Sequence, residues 1–258
     1  MNKSKFEQQL KRKWKTAQLN LPLHFFEVTT STNDLAKERV TPSPAHGSIF
    51  IARRQIAGRG TYNRSFFSGM GGIYCSLLIN VNEWHFEDKD FATFFTAVAV
   101  RNAVYDILKI ELELKWVNDF FLQGRKIGGI LTERQFGSNW LVIGIGLNVS
   151  NQLEDFPEIL RTTVGTLGIQ DSDDYIKASL IVSIIEHMLK KGELSCKNKM
   201  MMKYKESLFI LNQQVKINYG GELFQACVLD VDSLGRLVVQ KACGNVLYLQ
   251  AGEVKLNT

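Results

Sequence analysis

The stretch 115–133 constrains this chain more than any other. It reads as a strand, a polar turn, a hairpin and a second strand. Residues 112–117 alternate apolar and polar, as a half-buried strand does. Asn118 and Asp119 break the alternation. Residues 120–122 and 126–132 are apolar runs on either side of Gln123-Gly124, a turn signal. A carboxylate, an amide and a lysine are thus gathered within a few residues. Lys126 stands among Gly124, Gly128 and Gly129, where small residues let a ligand approach the backbone. An ammonium there suits chemistry that develops negative charge, as a point charge on a carboxylate or phosphate oxygen. Asp119 would keep Lys126 charged, or help carry a magnesium ion bound mainly by phosphates. A lone hairpin lysine more often only faces solvent; a second stretch upstream shifts the balance.

That second stretch, 53–72, follows a strand over 48–53. It holds Arg53, Arg54, Arg59 and Arg64 among Gly58, Gly60, Gly69, Gly71 and Gly72. A glycine-rich, arginine-bearing loop of this length is uncommon in a compact domain unless it has a function. Glycines permit close backbone approach, and arginines supply fork-shaped donors for carboxylate or phosphate. No Gly-Lys-Ser/Thr closes it, so it is not a Walker A loop, and it is not a Rossmann fingerprint. On composition alone, a flexible surface loop accounts for it as well as an anion site does.

With 258 residues, 45% of them hydrophobic and 22% charged, the chain has apolar material for one large domain, or one plus a small one, without disulfides. Cys75, Cys196, Cys227 and Cys243 form no close pair and no metal-ligand spacing, which reads as buried thiols in a reducing, cytoplasmic compartment. The four histidines are equally scattered, against a structural zinc site. The net charge of +5 lies in residues 1–15, where Lys3, Lys5, Lys11, Arg12, Lys13 and Lys15 face only Glu7. This basic arm reads as a solvated, partly helical N-terminus with weak attraction for acidic partners. No signal peptide is expected, because the start lacks an apolar core. The longest apolar stretch, 91–100, is too short to span a membrane.

Along the chain, residues 25–28 read as a strand. Ser31-Thr32-Asn33-Asp34 then marks a helix start, with Ser31 or Thr32 as cap. The same hydroxyls and exposed N–H groups would also suit a polar ligand group. A proline loop over 41–47 precedes the 48–53 strand. Residues 73–81 form a strand with Tyr74, Ser76 and Leu78 on one face. Asp88 or Asp90 caps a helix to about Ile110, whose aromatic stripe is read as core. After a turn at 136–139, residues 140–149 form a strand with Gly144 and Gly146 at alternate positions. Glycines so placed leave one face bare, and a ligand or packed backbone must lie flat on it. Residues 171–174 cap a helix to about Lys191, with Ile176, Leu180, Ile184 and Met188 inward, and 197–207 form another. From about Leu211 short strands follow at 214–219, 222–231, 236–241 and 245–249, the pattern of a small antiparallel barrel or sandwich.

Four stretches together resemble the biotin–protein ligase family. They are Ser31-Thr32-Asn33, Gln55 with Gly58-Arg59-Gly60, Lys115-Trp116-x-Asn118-Asp119 with Lys126-x-x-Gly129, and Gly144-x-Gly146-x-Asn148. They occur in the family's order, and the resemblance runs from about Phe25 to the C-terminus, including Gly252-Glu253-Val254. It implies an α+β fold: a mixed β-sheet catalytic domain packed with helices, of the class II synthetase-like, biotin/lipoate ligase type. A small C-terminal antiparallel barrel of the Src-homology-3-like kind would follow. The expected division is 1–22 basic arm, 23–210 catalytic domain and 211–258 barrel.

The resemblance further implies two half-reactions. Biotin and MgATP give biotinyl-5′-adenylate and pyrophosphate, and the acyl group passes to a lysine of a biotin carboxyl carrier protein or domain of a biotin-dependent carboxylase. By similarity, Ser31, Thr32, Asn33, Gln55 and Tyr74 would serve the biotin end. Gly58, Arg59 and Gly60 would close over its carboxylate and the α-phosphate, where Lys126 also reaches. Gly129, Gly144 and Gly146 would line the valeryl channel. Asn118, Asp119 and Asn148 would sit by adenylate and metal, with Thr61 and Arg64 by the nucleotide and Phe66 against adenine. Lys126, Arg59 and Asp119 would be the catalytic set, with no dedicated metal site beyond magnesium carried by ATP. A ureido group offers two donors and one strong acceptor, which suits hydroxyl and amide partners. Adenylates hydrolyse readily, which suits a flap that excludes water.

Four positions depart from the family pattern: Thr61 for a frequent basic residue, Phe66 for a frequent tryptophan, and Val117 and Gly69 for prolines. The first implies weaker retention of the adenylate, the second a smaller stacking face. Many members carry an N-terminal DNA-binding domain; none is expected here, so no operator binding. Pairing into a homodimer, as some relatives do through sheet edges, stays open. Two rival readings remain: lipoate or octanoate attachment on a related fold, and a non-catalytic ligand-binding regulatory protein.

Overall fold

The structure is a computed structural model that describes residues 4–40, 45–86, 88–134, 137–170, 174–189, 192–250 and 253–256. Ser4 opens α1 (Lys5–Thr16) by accepting a hydrogen bond from the Glu7 amide. There follow β1 (Leu23–Thr29), α2 (Thr32–Glu38), β2 (Ser48–Gln55), β3 (Ile73–Asn80), α3 (Ala92–Leu108), β4 (Glu113–Lys115), β5 (Asp119–Leu122), β6 (Arg125–Arg134) and β7 (Trp140–Leu147). Then come α4 (Asp174–Leu189), α5 (Lys197–Glu206), β8 (Gln214–Tyr219), β9 (Glu222–Val231), β10 (Leu237–Lys241), β11 (Val246–Leu249) and β12 (Glu253–Leu256).

The first seven strands form one mixed sheet in the order β1-β2-β3-β7-β6-β5-β4. Only β1 and β2 are parallel; the other neighbours are antiparallel. Strand alternation divides its side chains between two faces. Ile73, Cys75, Leu77 and Ile79 of β3, with Leu141, Ile143 and Ile145 of β7, join the main core with α1, α3 and α4. Phe50, Leu78 and Val142 face the other way and pack with Ala36 of α2. The aromatic stripe of α3 is core over most of its length, with Phe94, Phe95, Val98 and Val104 buried, but Tyr105 near its end is exposed.

Three local expectations are corrected. The basic arm is solvated on one side only, because Phe6, Leu10 and Trp14, four residues apart, bury one face of α1 against α4. Neither Asp88 nor Asp90 caps α3. A 3₁₀ turn over Lys89–Phe91 leads into it, and the Asp88 carboxylate accepts the Asp90 N–H instead. Ser31 stands at the N-cap of α2 without capping through its side chain. The 41–47 loop, the turn from Phe136, the 171–173 cap and Gly252 lie wholly or partly outside the described residues.

The last five strands form a separate antiparallel sheet in the order β11-β10-β9-β8-β12. Gly220 and Gly221, at φ 60° and 88°, make the two-residue turn between β8 and β9, where two successive positive φ angles favour glycine. Trp116 Nε1 donates to the Gly235 carbonyl at 3.1 Å and ties this sheet to the turn before β5. No described helix is long and apolar enough to cross a membrane.

Candidate active site

Register on the α2 side of the large sheet builds the floor. Three rows cross β6, β7 and β3: Gly129–Gly146–Tyr74, Leu131–Gly144–Ser76 and Glu133–Val142–Leu78. β5 extends the first row with Asp119. Two glycines of β7 thus lie side by side with Gly129 under a cleft of about 60 Å³. The bare glycine face is covered by two side chains. A Cβ on Gly144 would lie 2.2 Å from Asn33 Oδ1, and one on Gly146 would lie 2.7 Å from Phe66 Cε1. Those side chains make the cleft narrow.

Lys126 reaches this face through an irregularity. Pairing of β5 with β6 slips between Phe120 and Phe121, so Phe120 faces Gly128 and Phe121 faces Lys126, leaving Ile127 as an extra residue. Strict alternation would place Lys126 opposite to Gly129; the bulge turns it to the same side. Its Nζ lies 2.6 Å from Asp119 Oδ1 in an ion pair beside Gly129. Asn118 holds the turn by donating from Nδ2 to the Ile130 carbonyl at 2.9 Å, while its own carbonyl accepts the Ile130 N–H. Tyr204 of α5 donates to the Val117 carbonyl from behind.

The far end of the cleft is polar and buried. Ser76 Oγ lies 2.7 Å from Thr32 Oγ1 and 2.6 Å from Asn33 Oδ1. Gln55 Oε1 accepts from the Thr32 amide and hydroxyl, and Gln55 Nε2 donates to Ser68 Oγ. Asn33 Nδ2 donates to the Leu131 carbonyl and, at 2.7 Å, to Glu133 Oε2. Ser31, 2% exposed, lines the same end.

The loop read from the sequence is a small hairpin across the cleft. Phe66 N–H donates to the Gly58 carbonyl and Gly60 N–H to that of Arg64. Gly58 is required there, because a Cβ would lie 2.4 Å from Ser68 Oγ and 2.5 Å from the Phe66 carbonyl. Arg59 reaches from this flap to Asp34 Oδ1 at 2.5 Å and Glu133 Oε2 at 3.2 Å, both through Nη2. Its Nε is buried and has no hydrogen-bond partner among the described residues. Burial alone would raise the Glu133 carboxyl; hydrogen bonds from Lys37 and Asn33 and the charges of Lys37 and Arg59 outweigh it and hold the group below its ordinary value.

Of the residues singled out from the sequence, Ser31, Thr32, Asn33, Gln55, Arg59 and Gly60 line this cleft from α2 and the flap. Thr61, Phe66, Asn118, Asp119 and Lys126 join them above the three floor glycines. Four lie elsewhere. Tyr74 is buried under Phe66, with its hydroxyl donated to the Gly69 carbonyl and burial pushing its pKa up. Asn148 is buried and donates to the Gly165 carbonyl. Gly58 is on the outer side of the flap. Arg64 lines an adjoining cavity of about 150 Å³, which shares Thr61, Asn118 and Asp119 with the first and reaches Gln250 of the small sheet. The sequence reading missed Ser76, Asp34, Lys37 and Glu133. Ser76 and Glu133 sit on strands at even spacing from Tyr74 and Gly129, so the period alone would have put them on this face.

The family model for biotin/lipoate A/B protein ligases matches residues 25–150, the segment that holds the floor, the flap and the lysine hairpin. Over that segment the chain is a member of the biotin/lipoate A/B protein ligase family. Within that family it is 31% identical over 175 residues to the bifunctional ligase/repressor BirA of Bacillus subtilis, covering 66% of this chain and 54% of that one. The chain therefore spans about half the length of that relative. It is 26% identical over 233 residues to the biotin–[acetyl-CoA-carboxylase] ligase of Mycobacterium tuberculosis, covering 88% and 85%. Its fold is that of the Aquifex aeolicus biotin protein ligase solved with biotin and ATP, at a TM-score of 0.70 and 24% identity over 91% of this chain and 97% of that one.

Proposed function

We propose that this family member is a biotin–protein ligase, which activates biotin with ATP and transfers it to a lysine of a biotin carboxyl carrier domain. The observation that carries the reading is that Lys126 and Arg59 line one cleft, over a floor of three glycines that ends in a buried polar pocket. One relative is named a biotin–[acetyl-CoA-carboxylase] ligase and another a bifunctional ligase/repressor, and the Aquifex protein was solved with biotin and ATP.

In the first half-reaction a biotin carboxylate oxygen attacks the α-phosphorus of ATP and pyrophosphate leaves. Two anions must meet, so fixed cations lower the barrier. Lys126 and Arg59 take the carboxylate and α-phosphate oxygens as the mixed anhydride forms. Thr32, Ser31 and Gln55 take the ureido group, and the valeryl chain lies on Gly129, Gly144 and Gly146 once Phe66 moves off the floor. A lipoyl ring has no ureido donors to match the polar end, which favours biotin. Asn118, Asp119, Thr61 and Arg64 border the nucleotide, whose phosphates extend into the adjoining cavity. In the second half-reaction the carrier amine attacks the acyl carbon, loses a proton and expels AMP, leaving an amide.

Magnesium fits this site as a partner of the nucleotide. Among the described residues no group of three or more His, Cys, Asp or Glu could hold a metal. Lys126, Arg59 and Lys37 face Asp119, Asp34 and Glu133, so these charges cancel and a polyphosphate needs further positive charge. Asp119 borders both cavities and is the residue that would touch the ion, which supplies neutralisation of phosphate oxygens. In this reading the catalytic domain is 23–210, the small sheet is a Src-homology-3-like barrel over 211–258, and the enzyme works in the cytoplasm. Biotin-dependent exchange between ATP and pyrophosphate tests the reading. Exchange with biotin is expected; exchange only with lipoate, or none with either, would overturn it.

A further inference from the structure

Arg59 and Asn33 come from separate elements, the flap and α2, and meet on one carboxylate oxygen. Glu133 Oε2 accepts from Asn33 Nδ2 at 2.7 Å and from Arg59 Nη2 at 3.2 Å. Glu133 Oε1 is held by Lys37 Nζ at 2.5 Å, so the carboxylate cannot turn away without losing an ion pair. Asp34 holds the same Arg59 nitrogen from the other side at 2.5 Å. One end of the guanidinium is thereby fixed, and its buried Nε has no acceptor among the described residues. A buried N–H left without an acceptor is costly, and an anionic ligand oxygen in the cleft would relieve it.

We propose that Glu133 is a positioning residue for the flap arginine. With Asp34, it latches Arg59 across the cleft so that the remaining N–H groups point at the reacting oxygens, and through the same oxygen it ties that latch to Asn33 on the Gly144 floor. The inference rests on the ligase reading for its catalytic consequence and on geometry alone for the latch. Glu133 sits in the row Glu133–Val142–Leu78, one row beyond the glycines, so it acts through Arg59 rather than on substrate.

Glu133→Gln tests this, because the amide keeps an acceptor for Asn33 and removes the charge that binds Arg59. Two measurements separate the inference from the reading beneath it. The first uses purified protein without biotin or nucleotide: trypsin cleavage after Arg59 and Arg64, read by mass spectrometry, is expected to quicken about ten-fold in Glu133→Gln and to return toward wild type in Glu133→Asp. Unchanged cleavage would overturn the latch whatever the enzyme does. The second is pyrophosphate exchange. Glu133→Gln is expected to lower kcat about ten-fold with a smaller change in the KM for biotin, and to cost less than about two-fold when Arg59 is already alanine. An equal loss in both backgrounds would mean that Glu133 acts on the fold and not through Arg59. A wild-type protein that shows no exchange but keeps the protease pattern would sink the ligase reading while leaving the latch intact.

Discussion

The ring of Phe66 rests on Gly146, in the space where any other residue would carry its Cβ. The flap and the floor are therefore shaped to each other. Phe66 also meets Tyr74 edge-on, with ring centroids 6.4 Å apart, and the Tyr74 hydroxyl holds the Gly69 carbonyl at the far end of the flap.

Gly146→Ala is expected to push Phe66 off the floor, and Gly144→Ala to displace Asn33 and break its contact with Ser76. The second contact is the tighter, at 2.2 Å from Asn33 Oδ1, and its neighbours are buried. Each should destabilise by about 1–3 kcal/mol, as overpacking does, with Gly144→Ala the worse. Thermal melts rank the two; equal stability to wild type would mean that the covering side chains move aside freely.

Lys126→Ala removes the ammonium and leaves Asp119 without its 2.6 Å partner. Adenylate formation is expected to fall by about 10²–10³-fold, the loss typical of a charge-stabilising donor. Intact mass spectrometry of a carrier domain incubated with the variant, ATP and biotin reads this. Labelling at the wild-type rate would remove Lys126 from the chemistry.

Ser76→Ala leaves Asn33 Oδ1 and Thr32 Oγ1 facing an apolar methyl in a fully buried setting. A buried acceptor stripped of its donor costs about 1–3 kcal/mol. The KM for biotin should also rise, because Thr32 and Gln55 lose their common support. A variant as stable as wild type with unchanged KM would show the network to be dispensable.

His46 Nδ1 accepts the Asn80 N–H at 3.0 Å, which requires that nitrogen unprotonated. Burial lowers the His46 pKa below its ordinary value, against the opposing charge of Glu83. The folded value is the lower one, so the contribution to stability is complete above about pH 6.5 and is lost as pH falls through the folded value. His24 is lowered too and has the same sign, mainly through burial. Urea midpoints should drop between about pH 7.5 and pH 5.5, and less steeply in His46→Gln. A steeper drop in the variant would contradict the assignment.

Much of this fold was legible because its strands announce themselves. The hairpin turn at Gln123-Gly124 and the C-terminal strands appear where period and turn residues put them, with 214–219 and 222–231 matched in full. The bare face at Gly144 and Gly146 was also legible, though not what covers it. Asn33 and Phe66 come from segments 111 and 80 residues away in sequence, and no local pattern carries that pairing. Asp88 misled because a capping residue is a local preference, and the 3₁₀ turn before α3 satisfied it otherwise. Tyr74 shares the site face by parity, yet lies beneath Phe66, because parity assigns a side without assigning depth.

The one-residue slip at Ile127 makes the length of a hairpin part of the reaction. Deleting Ile127 would make the pairing regular and leave the ammonium on the cleft side, two positions before Gly129, at the cost of a buried side chain on the helix side. Any transplant of this hairpin onto another scaffold has to keep that parity, since a copy that retained Ile127 but paired it regularly would turn the ammonium to the helix side.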